Sequence, residues 1–360
     1  MHTNVLVVGQ GLCGTWLSYF LNQAGIDFLV IDEERPNTST RVASGVINPV
    51  TGRRMSRTWL ADQVIPFAEQ AYTSLSTFLP TVHCPLSTTL ISCCDIIDFF
   101  NSPDRRIDFE KKAMQFAEFL QWPEDEHTFR QHFHFDLGYG IIAPAYLVDL
   151  QTMLDGWRYY LRQSNHLFDK RFNHKELQLL PDGVHYQNIR AEKVIFADGV
   201  AAYEAGFFRL LPFALNKGEA LIVEINELPR NHIYKKGNTI TPWRGGYCWV
   251  GSTYNNNFTD DQPSDAFRQM MEAWLLSVLK HPFKVLEHVA AVRPATVERR
   301  PFAGWHPQHT QVGLLNGTGT KGVTLAPFFA KQMVDNLVNA TPIMPEANVA
   351  RFGRLLAVAK

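Results

Sequence analysis

The stretch Val5-Leu6-Val7-Val8-Gly9-Gln10-Gly11-Leu12-Cys13-Gly14-Thr15 decides how the chain is to be read. A short apolar run enters a turn with three glycines, and helical periodicity begins at once. That order of strand, turn and helix is what a dinucleotide needs. Gly9 permits the tight turn, Gly11 lets backbone approach a pyrophosphate without an intervening Cβ, and Gly14 lets the helix pack on the strand. The helix start, with Leu12 and Cys13, offers unpaired N–H groups and partial positive charge to phosphates. A second apolar run, Phe28 to Ile31, ends at Asp32, eighteen residues past Gly14. A carboxylate there can accept hydrogen bonds from an adenosine ribose.

Working outward, 360 residues are enough for two domains, or for one domain with a large insertion. Apolar residues make up 46% and charged residues 19%, and the formal net charge is −1. So balanced a charge gives no broad field for nucleic acid or anionic lipid. Five cysteines (Cys13, Cys84, Cys93, Cys94, Cys248) have no zinc spacing and no C-x-x-C pattern, so reduced thiols and a cytoplasmic setting are expected. The pair Cys93-Cys94 reads as one core and one surface position on a strand. No segment has the apolar length of a transmembrane helix. No Lys or Arg precedes the first apolar run, and glycines interrupt it, which argues against a signal peptide. The cluster His127, His132, His134 lacks metal spacing and is expected at the surface.

Along the chain, a polar loop after Asp32 tightens into Val42-Ala43-Ser44-Gly45-Val46-Ile47-Asn48-Pro49, either a simple loop or a close approach of backbone to something bulky. Apolar spacing predicts helices over 59–79, 109–120, 147–162, 263–279 and 323–338. Strands are expected at 88–92, 141–142, 170–173, 176–180, 184–187, 193–196, 215–223, 247–254 and 312–316. The run Phe196-Ala197-Asp198-Gly199 is a buried strand closed by glycine, either a plain turn or a second approach to a cofactor. Late in the chain, Gly317-Thr318-Gly319-Thr320-Lys321-Gly322 opens another helix. Freed backbone, a helix start and a lysine together can stabilise negative charge developing on a flavin ring. The tail after Pro342 reads as loosely packed.

Five blocks, taken in order, resemble the D-amino-acid oxidase-like family of FAD-dependent oxidoreductases, most closely its glycine oxidase branch and more distantly monomeric sarcosine oxidase. They are Gly9–Gly14 with Asp32; Ala43–Pro49; Phe196–Gly199; Lys217-Gly218-Glu219 with Val250–Thr253; and Arg293-Pro294 through Gly317–Pro327. The resemblance implies an α/β fold: a discontinuous Rossmann-type FAD-binding domain (1–80, 141–210, 290–360) with an inserted mixed-sheet α+β substrate domain (81–140, 211–289). It implies that Gly9, Gly11 and Gly14 hold the pyrophosphate and Asp32 the ribose, where FAD members more often carry Glu. Ser44 and Gly45 would run along the flavin, and the Phe172 backbone would meet adenine. Asp198, Gly199, Gly317, Gly319, Thr320, Lys321 and Gly322 complete the expected cofactor site.

Arg293 matches the family arginine that grips a substrate carboxylate, with two donors of its fork on two oxygens. Lys321 matches a sarcosine oxidase lysine that helps hold the carboxylate, and Tyr254 a strand position facing the substrate. Thr320 replaces an arginine of glycine oxidase, which puts glycine itself in doubt as substrate. No cysteine lies near Arg293 or in Gly317–Gly322, so non-covalent FAD is expected. The implied reaction is hydride transfer from the α-carbon of an amine or α-amino acid to flavin. The imine product hydrolyses, and oxygen, as acceptor, yields peroxide. Two other readings stay open: a flavin dehydrogenase of a hydroxy acid or larger amine with another acceptor, and an FAD-binding protein without turnover. The sequence leaves oligomeric state open.

Overall fold

A computed structural model describes residues 1–52, 54–81, 89–204, 206–357. Cys84 and the start of the strand expected at 88–92 lie outside the described residues. The fold is mixed α/β, built on two large sheets.

The first sheet starts from the opening stretch. His2–Val8 pairs in parallel with Phe28–Asp32 on one side and Ile189–Phe196 on the other. Leu167–Asp169 extends the parallel set beyond Phe28–Asp32, and Val312–Asn316 extends it beyond Ile189–Phe196. Over Val5–Val8, Phe28–Ile31 and Val194–Phe196 these strands are covered on both faces and are apolar throughout. Val5 and Val7 face one core with Trp16, Tyr72, Trp157 and Phe329, contributed by the helices Leu12–Gln23, Ala61–Thr81, Leu150–Gln163 and Gly322–Asn339. Leu6 and Val8 face a second core with Tyr186, Phe196, Phe208 and Phe213. All the parallel strands deliver their C-terminal ends to one edge, where the Gly9 turn, Asp32, Asp198 and the Gly317–Gly322 loop emerge.

The second sheet runs in the order Lys284–Arg293, Asn216–Glu224, Tyr247–Gly251, Asn238–Trp243, Ile233–Lys236, Ile96–Phe99, Tyr139–Ile142, Leu120–Gln121. It is mixed, with one parallel pair, Ile233–Lys236 against Ile96–Phe99. One face packs Leu221, Val223 and Val250 on Phe267, Met271 and Leu275 of the helix Asp265–Val278. The other presents Ala220, Ile222 and Trp249. Trp249 Nε1 donates to the Val42 carbonyl at 2.9 Å, tying this sheet to the Ala43–Gly45 loop.

Several sequence expectations are corrected. Lys170–Asn173 is not a strand; the strand is Leu167–Asp169, held by pairing with Phe28–Asp32 that local pattern does not reveal. The helix expected over 109–120 spans Pro103–Gln115, begun by Ser102, whose hydroxyl accepts from Arg105 N. That expected from 147 begins at Leu150, because Tyr146–Val148 is a strand and Asp149 is the cap. The tail is packed rather than loose: Ile343, Ala347, Val349 and Leu356 are buried, and Asn348 bridges to Ala303.

Candidate functional site: a cleft between the two sheets

A cleft of about 740 Å³ opens where the C-terminal ends of the first sheet meet the Trp249 face of the second. The opening turn forms one end of its floor. Gly9 has φ +98°, and a Cβ there would stand 2.6 Å from the Ala197 carbonyl oxygen. Gly14 packs beneath it: a Cβ would lie 1.8 Å from Gly9 O. Gly11 is different, since its Cβ would meet nothing closer than Thr40 Oγ1 at 3.6 Å. Two glycines therefore build the turn, and the third leaves bare backbone facing the cleft. Thr40 Oγ1 accepts from Leu12 N at 3.1 Å.

Asp32 lines the cleft and is held from several directions. Oδ2 accepts from Gln10 N at 2.8 Å, and Oδ1 accepts from Glu34 N at 2.8 Å and from Arg158 at 2.7 Å. Arg158 is 1% exposed, and its guanidinium also meets Asp169, Glu34 at 2.9 Å and Gln10 Oε1 at 3.1 Å. A buried cation with three carboxylates around it holds the Asp32 carboxylate in place on the cleft wall. Arg158 escapes sequence reasoning because it sits on a helix more than a hundred residues from Asp32.

The second end of the cleft is built around Arg293, the last residue of Lys284–Arg293. Its strand pairs with Asn216–Glu224, setting Arg293 opposite Asn216. Nη1 donates to Asn216 Oδ1 at 2.7 Å and to the Thr253 carbonyl at 3.2 Å, and Nη2 to Ser252 Oγ at 3.0 Å. Burial lowers its pKa, opposed by the neighbouring Tyr254. Among the described residues no carboxylate is paired with Arg293, so a charged fork lines the cleft with neutral partners behind it.

Of the expected site residues, Gly9, Gly11, Leu12, Cys13, Asp32, Ser44, Gly45, Phe172, Asp198, Gly199, Arg293, Gly319, Thr320 and Gly322 line this one cleft. Four do not. Gly14 lies beneath the turn, and Gly317, at φ +73°, packs on Thr296 and serves the loop's shape. Tyr254 follows the end of Tyr247–Gly251 rather than lying on a strand, and it is 55% exposed off the cleft wall. Lys321 points to the other side of its loop, where Nζ donates to Thr58 Oγ1 at 3.2 Å and reaches the Asn48 carbonyl at 3.5 Å. Burial brings its pKa down to about 8.

The glycine-rich loop meets the opening turn directly. A Cβ on Gly322 would stand 3.0 Å from Leu12 Cδ2 and 2.9 Å from Thr318 Oγ1. Cys13 also faces Thr318, and burial pushes its thiol up to about 12. Cys13, Cys93, Cys94 and Cys248 are free. Among the described residues no His, Cys, Asp and Glu group could hold a metal, and no helix is long and apolar enough to cross a membrane.

A bare-backbone glycine turn, a braced carboxylate and a second glycine loop in one cleft fit FAD. Comparison with protein families agrees: residues 4–336 match the family described as FAD dependent oxidoreductase (DAO). The chain belongs to this family. Among curated relatives it is similar to a glycine oxidase of Pseudomonas aeruginosa, 28% identical over 177 residues, covering 46% of this chain and 47% of that protein. A glycine oxidase of Pseudomonas putida is 30% identical over 182 residues, covering 48% of each. The chain thus spans about half the length of the curated relatives it matches. Solved structures share the DAO fold over nearly the whole chain. Iminodiacetate oxidase from a Chelativorans species superposes with a TM-score of 0.77 at 17% identity, covering 97% of this chain and 98% of that one. Glycine oxidase from Geobacillus kaustophilus gives 0.77 at 16%, covering 98% of both, and L-proline dehydrogenase from P. horikoshii 0.75 at 14%, also covering 98% of both.

Proposed function

We propose that this FAD-dependent oxidoreductase oxidises the carbon–nitrogen bond of an amine carrying a carboxylate, an α-amino acid in the simplest case, with oxygen as electron acceptor. Arg293 carries the reading. It is a largely buried guanidinium on the cleft wall whose protein partners are neutral oxygens, leaving its charge to be matched by a substrate anion. FAD, when bound, supplies a two-electron acceptor for the substrate. This chain's residues bind and orient. Gly9, Gly11, Leu12 and Cys13 would take the pyrophosphate, Asp32 the ribose, and Ser44, Gly45, Gly319, Thr320 and Gly322 the flavin side. Arg293 would fix the carboxylate, which places the α-carbon in a defined position. Ala220, Trp249, Ala291 and Val292 line the same part of the cleft and keep water out. No residue is assigned as obligatory acid or base.

The two sheets are the cores of the two domains on this reading, and the cofactor is held without a covalent bond. Four free thiols suit a reducing compartment such as the cytoplasm. Anaerobic mixing of the yellow holoprotein with a panel of amino and hydroxy acids tests the function. An amino acid should bleach the flavin band, and air should restore it. Bleaching that air leaves unrestored makes the protein a dehydrogenase with another acceptor, and a panel that bleaches nothing removes the substrate class.

A further inference from the structure

The cleft contains one polar pair that neither the glycine turns nor Arg293 explain. Asp198 follows the strand Ile189–Phe196, its side chain is 8% exposed, and among the described residues neither carboxylate oxygen has a hydrogen-bond partner. His174 stands 3.7 Å away through Nε2, and its Nδ1 is likewise buried without a partner. Both residues line the cleft. Their positions are fixed from behind. The His174 ring stacks on Phe196 at 5.2 Å, and a Cβ on Gly206 would touch it at 3.0 Å. The next residue, Gly199, is anchored by Asn316 Nδ2, which donates to its carbonyl at 2.8 Å.

A buried carboxylate whose nearest side-chain donor, His174 Nε2, stands 3.7 Å off is costly, because it has lost water and gained only a long contact. Burial pushes its pKa up, the nearby Glu204 charge adds to this, and His174 opposes it. The arrangement becomes favourable when a ligand in the cleft brings a donor. We propose that Asp198, backed by His174, accepts a hydrogen bond from a hydroxyl or amino group of the bound FAD. Phosphate oxygens are poor neighbours for it, since they repel a carboxylate and carry no donor. Asp198 nevertheless sits beside the phosphate turn: a Cβ on Gly9 would lie 3.1 Å from Asp198 Cα. The donor therefore belongs to one of the groups flanking the phosphates, the ribose or amino group of the adenosine half or the ribityl hydroxyls of the flavin half. The inference rests on the cofactor and not on the substrate that Arg293 would hold.

Titration of the deflavinated protein tests it, with FAD, ADP and FMN as separate probes and binding read by flavin fluorescence or calorimetry. Asp198→Leu keeps the shape and removes both acceptors. FAD affinity should fall about tenfold or more, the scale of one hydrogen bond to a charged group. ADP affinity should fall with it if the adenosine half is the donor, and FMN affinity if the ribityl chain is. The variant apoprotein should melt no lower than the parent, since an unpartnered buried carboxylate has gone. Asp198→Asn, which keeps an acceptor oxygen, should recover most of the FAD affinity. FAD binding to Asp198→Leu within twofold of the parent overturns the proposal. So does an equal loss for ADP and FMN with a lower melting temperature, which makes Asp198 a packing residue. If the parent protein itself binds no FAD, the cofactor reading fails along with this one.

Discussion

The guanidinium of Arg293 lies directly over the α-carbon of Gly218: a Cβ at Gly218 would stand 1.9 Å from Nη2 and 2.2 Å from Cζ. The two residues belong to neighbouring antiparallel strands, with Gly218 opposite Ala291 and Asn216 opposite Arg293. Glycine is needed at 218 for space and not for backbone conformation. The guanidinium is thereby laid flat against the sheet, where Asn216, Ser252 and Thr253 hold it.

Gly218→Ala is accordingly expected to displace Arg293 without disturbing the glycine turns. The dissociation constant of a carboxylate inhibitor such as benzoate should rise by about tenfold or more, as for loss of a well-placed fork. FAD content should stay at the parent level. Equal benzoate affinity in parent and variant, measured by perturbation of the flavin spectrum, would show that Arg293 does not depend on this packing.

Arg158→Met should act at the opposite end. It leaves Asp32 and Asp169 without their shared cation, and breaking a buried ion pair costs up to several kcal/mol. Because Asp169 is half exposed, about 2 kcal/mol is the expected loss of apoprotein stability in urea, discounted for solvent screening. FAD affinity should weaken while benzoate affinity of the FAD-saturated variant stays unchanged. A variant that holds FAD as tightly as the parent would detach Arg158 from the cofactor site.

Lys321 makes a pH prediction. Its pKa is about 8 in the folded chain against 10.5 when unfolded, so between these values the unfolded state binds more protons. Its contribution to stability therefore rises with pH over that window, and below pH 8 the charged ammonium bears its full burial cost. In paired urea melts, the parent should gain on Lys321→Met as pH climbs from 8 to 10.5. A constant difference across that range would place the ammonium in water.

Precipitating the yellow protein with acid should leave all the flavin in solution. Among the described residues Cys13 is the thiol that lines the cleft, and burial holds it protonated, so it is a poor nucleophile. Colour retained in the washed pellet would mean a covalent bond.

What the sequence discloses follows the range of the physics involved. Gly9, Gly11 and Gly14 are legible because a phosphate turn makes its demands within six consecutive residues. Val5–Val8 and Val312–Asn316 are legible because strands buried on both faces must be apolar throughout. Arg293 stands out as a charge that closes the apolar run Val289-Ala290-Ala291-Val292. The direction of Lys321 is not legible: whether a loop lysine faces the cleft or Thr58 depends on how the loop packs on Leu12. Arg158, His174 and Asn216 are invisible for the same reason, since their partners lie far along the chain or on another strand. The buried tail is lost because Ile343, Ala347 and Val349 are too widely spaced in a polar stretch to announce a core.

The proposed role of Arg293 is to hold a substrate carboxylate beside the flavin. It is tested most directly by titrating the FAD-loaded parent and Arg293→Lys with benzoate and following the flavin spectrum. A lysine keeps the charge but loses the planar fork, so benzoate affinity should fall about tenfold or more with FAD content unchanged. Unchanged benzoate affinity, or no spectral response to benzoate in the parent, would contradict the account.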